Sequence, residues 1–114
     1  MKVPFENRRL TVVVAPVDMR SGYLRLAALA QACLLINLDL GQDVVAFISK
    51  RRNVCKVIWK DDRGTAVLVR KLHQGRFEQF LPRASESSGK SCTIEELEQF
   101  LDGDPIFKKR TRLV

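Results

Sequence analysis

Catalysis needs acids, bases, nucleophiles or metal ligands that converge, and this chain offers few of them. Asp18, Asp61 and Asp62 are the only carboxylates in or beside its ordered core motifs, Asp39 and Asp43 falling in loops. Two-metal phosphoryl chemistry requires carboxylates that clamp both ions. Asp61 and Asp62 instead stand side by side in Asp61-Asp62-Arg63-Gly64, a turn in which Asp bonds its own backbone and Gly takes the positive φ of a tight hairpin. His73 is the single histidine and has no Cys, His or Asp at ligand spacing, so no zinc site is expected. Cys33, Cys55 and Cys92 lie far apart without a CxxC pair. Cys55 is expected to face the core and Cys33 a helix interior, which makes both packing residues rather than nucleophiles. There is no phosphate-cradling glycine loop and no nucleophile elbow. The expectation is a protein that is not an enzyme and uses neither metal nor cofactor.

Binding chemistry is better provided. Lys50, Arg51, Arg52, Lys56, Arg70, Lys71 and Arg76 fall in one stretch of the chain, the composition of a surface that holds phosphates. Arg20 poses a separate question. A cation at a helix start opposes the helix dipole, so Arg20 requires an anion. Either the guanidinium closes on Asp18 or another internal carboxylate, or Arg20, Ser21 and Gly22 form an anion site with the free N–H groups of the first turn.

Three apolar β-runs must position the cations: Val44 to Ser49, Val54 to Lys60 and Thr65 to Leu72, joined by Lys50-Arg51-Arg52-Asn53 and by the Asp61 turn. Alternate turns of a meander share one end of the sheet. Lys50, Arg51 and Arg52 should therefore meet Arg76, with Arg70 and Lys71 leading in, while Asp61 and Asp62 go to the far end. Pairing Ser49 with Val54 and Lys60 with Thr65 puts Ala46, Ile48, Cys55, Val57, Trp59, Ala66 and Leu68 on a core face. The other face carries Val45, Phe47, Ile58, Val67 and Val69 among Lys56, Lys60 and Lys71, apolar enough that something must cover part of it.

The flanking segments complete the frame. Leu10 to Ala15 is β-branched and reads as a strand added to the meander and ended by Pro16. Asp18 or Ser21 caps a helix that runs from Tyr23 to about Asn37–Gly41, with Tyr23, Leu26, Ala27, Ala30, Cys33 and Leu34 on its apolar side. Arg83 to Ser91, small and polar, reads as a flexible loop. Thr93 and Glu96 then form a capping box that opens a short helix stopped by Gly103. The fold class is α+β: an antiparallel β-meander of about four strands, one long helix in the N-terminal half and a short C-terminal helix, both helices packed on one face. Residues 1–103 make a single domain, and 104–114, with Lys108, Lys109, Arg110 and Arg112, a basic tail.

The 114 residues are 46% hydrophobic and carry a formal charge of +7, enough for one domain with a core and a bias towards anionic partners. Unpaired cysteines imply reduced thiols and a cytoplasmic protein. No signal-peptide core is visible, and the longest uncharged run, Leu26 to Leu38, is too short to span a bilayer, so no membrane partner is expected.

Four motifs, Asp18-Met19-Arg20-x-Gly22-Tyr23-x-x-Leu26, Phe47 followed by Lys50-Arg51-Arg52, Lys56-Val57-Ile58-Trp59-x-Asp61-x-x-Gly64, and Arg70-Lys71-Leu72-x-x-Gly75-x-Phe77, occur in order. Together they resemble the TnpB accessory proteins of the insertion-sequence family numbered sixty-six. These are small proteins encoded beside a much larger transposase, distinct from the RNA-guided nuclease that shares the name. The likeness runs from about Leu10 to Gly103 and departs from the family pattern at Lys60, Asp62 and His73. It implies an accessory role in DNA transposition with the transposase as partner. Within that role two readings stay open: DNA contact through the seven basic residues, mainly to the backbone, or an adaptor that docks on the transposase or forms a homodimer.

Overall fold

The computed structural model describes residues 1–79 and 89–106. Five strands, β1 (Arg9–Val13), β2 (Asp43–Ile48), β3 (Val54–Lys60), β4 (Thr65–Lys71) and β5 (Gly89–Cys92), form one sheet in the spatial order β4-β3-β2-β1-β5. Helix α1 (Tyr23–Leu34) connects β1 to β2, and α2 (Ile94–Leu101) follows β5. The β2–β3–β4 part is an antiparallel meander with Lys60 opposite Thr65 and Ser49 N donating to Val54 O, the register that apolar alternation predicts.

The antiparallel four-stranded architecture is corrected in four respects. The sheet is mixed, because β1 pairs parallel to β2, Arg9 opposite Asp43. A strand–helix–strand connection is long enough for such a crossover, which a hairpin is not. The sheet also has a fifth strand: Gly89–Cys92, within and just beyond the expected loop, pairs antiparallel with β1. Residues 83–88 of that loop lie outside the described residues. Third, α1 is a helix of ordinary length that stops at Leu34. Leu35 takes a left-handed conformation, φ 57°, its N–H bonds Gln31 O, and Ile36 N bonds Ala30 O, a helix stop normally supplied by glycine. The Asn37–Gly41 residues build a separate 3-10 turn in which Asn37 Oδ1 accepts from Asp39 N. The cap of α1 is Gly22, without a side-chain bond, rather than Asp18 or Ser21.

The fourth correction concerns the layers. Leu97, Phe100 and Leu101 of α2 pack with Val44, Ala46, Ile48, Cys55 and Val57, joined by Val3 and Phe5 from the N-terminal segment. Leu26 and Ala30 of α1 pack with Val45, Phe47 and Ile58. These two sets alternate along β2, so the helices cover opposite faces of the sheet. Every residue of β2 is consequently buried, as expected of a central strand covered on both sides. Cys33 is exposed rather than interior, whereas Cys55 is fully buried and its thiol is pushed up to about 12 by burial. The α2 capping box forms as its sequence predicts, Thr93 Oγ1 accepting from Glu96 N and Thr93 N donating to Glu96 Oε1.

Candidate nucleic-acid interface

The β2–β3 turn and the chain after β4 meet at one end of the sheet, bound by main-chain hydrogen bonds. Leu72 N donates to Asn53 O at 2.8 Å and Phe77 N to Arg52 O at 2.7 Å. Phe77 is the anchor. Its ring is buried and stacks on Phe100 of α2, centroids 5.2 Å apart, so the segment that carries Arg76 is tied to the core. Arg76 Nη1 then reaches across to Arg51 O at 2.6 Å. Arg52 sits at φ 58° with its N–H on Ser49 O, and its guanidinium reaches Phe77 O at a long 3.5 Å.

Lys50, Arg51, Arg52, Lys71 and Arg76 thus share this end. Lys50, Arg51, Lys71 and Arg76 are exposed and Arg52 is half-buried. Among the described residues none of the five forms a salt bridge. Guanidinium and ammonium groups gathered at one end of a sheet repel one another unless an anion lies among them. The remaining two basic candidates are elsewhere. Arg70 points to the α2 face, where Nε donates to Leu101 O and Nη2 to Asp102 Oδ1, each at 3.1 Å; it closes the carbonyl end of α2, where the helix dipole favours a cation. Lys56 points to the α1 face and donates from Nζ to Ser21 O at 2.9 Å, latching the entry of α1 to β3.

Arg20 is paired internally. Its guanidinium donates to Asp18 through Nε–Oδ1 at 3.1 Å and Nη2–Oδ2 at 2.8 Å, and its backbone N–H adds a third bond at 2.9 Å. These bonds hold the Asp18 carboxyl far below the usual range. Ser21 is buried, its N–H on Asp18 O, and Gly22 opens α1. The pair borders the rim: Val17, Asp18 and Met19 face Lys50, Arg51 and Asn53 across a shallow groove of about 400 Å³.

The opposite end of the sheet is different in kind. Asp61 Oδ1 accepts from Arg63 N and Gly64 N, the turn-forming use of aspartate. A larger hollow, about 530 Å³, opens near Arg9, Asn37, Asp43 and Cys92. Its one close-paired charged couple, Arg9 and the buried Asp43, is a two-pronged bridge at 3.1 and 2.9 Å that staples the start of the parallel ladder. Among the described residues no three His, Cys, Asp or Glu gather as a metal ligand set, and no helix is long and apolar enough to cross a membrane. Asn53 and Phe77, whose carbonyl and ring hold the rim together, were not singled out by residue type. Their traces in the sequence are Asn53 as the last residue of the Lys50-Arg51-Arg52-Asn53 turn and Phe77 two residues after Gly75, which takes φ 76°.

A family model of IS66 Orf2-like proteins matches residues 8–111. The chain belongs to that family. The matched span contains every rim residue. The chain is also similar to the uncharacterised protein y4hO of Sinorhizobium fredii, 32% identical over 72 residues, covering 63% of this chain and 62% of that protein. No solved structure matches it.

Proposed function

We propose that this IS66 Orf2-like protein serves transposition without catalysis, holding DNA by its phosphates through Lys50, Arg51, Arg52, Lys71 and Arg76. The observation that carries the reading is the convergence of these cations, with no carboxylate partner among the described residues, on one tied-down end of the sheet. Phosphates supply the missing anions. Among the described residues the rim exposes no Phe, Tyr or Trp to stack on bases, the Phe77 ring being buried, so contact is to the backbone and weakly selective for sequence. Each neutralised phosphate releases counterions and adds about −0.9 to the slope of log affinity against log salt. Five contacts therefore give a slope of about −4.5.

The test is fluorescence anisotropy of a labelled duplex at several salt concentrations. Arg51→Ala with Arg52→Ala should flatten the slope by about 2. Absent or salt-insensitive binding overturns the proposal. A second reading, docking on the transposase without DNA contact, draws on the exposed Val67 and Val69 of β4. A transposase complex that survives high salt, formed by a protein with no affinity for DNA, supports it instead.

A further inference from the structure

β4 is an outer strand of the sheet, and the direction of its backbone groups follows from the bonds at its two ends. Asp61 N donates to Gly64 O before it, and Leu72 N donates to Asn53 O after it, with unbroken register between. Bonded and non-bonded pairs alternate in an antiparallel ladder. Ala66, Leu68 and Arg70 therefore exchange hydrogen bonds with β3, while Thr65, Val67, Val69 and Lys71 turn their N–H and C=O groups away from the sheet. Among the described residues no hydrogen bond reaches those outward groups. Val67 and Val69 are 41% and 58% exposed, and Thr65 to Val69 carries no charge. Outer strands left in water are normally interrupted by a charge, a proline or a bulge; this one carries charge only at its end, in Arg70 and Lys71.

We propose that β4 pairs antiparallel with β4 of a second copy of this chain, about a two-fold axis at Leu68. Three features commit the edge to a second copy. The first is register: around Leu68, Thr65 falls opposite Lys71 of the other copy and Val67 opposite Val69, so all outward-facing residues meet outward-facing residues and every donor and acceptor is used. The second is packing, because Val67 and Val69 of the two copies become cross-strand neighbours, a pairing that branched side chains favour. The third is charge. Parallel alignment would bring both basic ends together, whereas the two-fold arrangement lays the Asp61-Asp62 turn of each copy beside the Lys71–Arg76 end of the other. Such a contact is isologous and closes at two copies.

Sedimentation velocity of the full chain without DNA, over a hundredfold range of concentration, tests this independently of the rim's role. A reversible dimer is expected. Val69→Lys should weaken it at least tenfold and leave the circular dichroism spectrum and melting temperature of the monomer unchanged, since Val69 is exposed. A second measurement reads the register. Opposed bonded residues stand about 5.5 Å apart at Cα, within disulfide reach. In a Cys33→Ser background, Val67→Cys chains mixed with Val69→Cys chains should oxidise to a mixed dimer, and neither variant should cross-link with itself. A monomer at every concentration, a dimer indifferent to Val69→Lys, or cross-linking of each variant only to itself overturns the proposal.

Discussion

At the scale of single residues, Asp18 shows how one carboxylate decides what a cation is free to do. It takes hydrogen bonds from both the side chain and the backbone of Arg20, and those bonds, side chain first, lower its pKa. Both groups are exposed, so the pair contributes little to stability in neutral solution. That small contribution is complete at neutral pH and shows itself by its loss in acid. A carboxyl whose folded pKa is lowered stabilises the fold fully above its unfolded value of about 4, and that contribution drains away as pH falls towards the folded value. Asp18→Asn has no such titration, so its melting temperature should fall less than that of the parent chain between about pH 4 and pH 2. Thermal melts across that range check it, and equal acid slopes would sink the account. The same substitution releases the Arg20 guanidinium beside Lys50 and Arg51, so under the proposed function duplex affinity at fixed salt should rise.

At the scale of elements, what the residues announced was local. The β2–β3–β4 register was legible because a one-residue slip would carry Ala46, Cys55 and Val57 from a packed face to the opposite one. The α2 cap was legible because Thr93 and Glu96 close it within a single turn. What could not be read was decided by distant partners. Leu35 ends α1 in a conformation that leucine seldom adopts, inside an apolar run that otherwise reads as more helix. Gly89 to Cys92 has no strand-forming composition, and becomes β5 only because β1 offers it a free edge. Steric room explains the glycine. A Cβ on Gly89 would lie 2.7 Å from Thr11 Cγ2 and 2.9 Å from Leu34 Cδ2, and Thr11, branched and held in β1, has no other rotamer to retreat to cheaply. Gly89→Ala should therefore cost about 1–3 kcal/mol through overpacking. A urea midpoint equal to that of the parent chain would mean that β5 does not seat as described.

At the scale of the whole molecule, helices on both faces leave ends and edges as the surfaces on which the sheet can meet a partner. The two ends differ in charge because a meander sends alternate turns to alternate ends, which is why the polarity was legible before the layers were. Net charge alone would draw DNA to any part of a +7 protein; placement should hold it in one orientation. The two contributions separate experimentally. β3 has seven residues and so keeps the turns about 23 Å apart, well over the screening length of about 8 Å at physiological salt. Arg51 at the rim and Arg63 beside Asp61 at the other end are both exposed, and each removes one charge when replaced by alanine. If net charge governs binding, the two substitutions weaken it alike. If the rim holds the phosphates, then at concentrations low enough for the chain to be monomeric Arg51→Ala lowers duplex affinity and reduces the salt slope by about 0.9, while Arg63→Ala leaves the slope of the parent chain intact. Anisotropy titrations of the two variants, run side by side, distinguish these outcomes, and equal slopes would move the contact away from the rim.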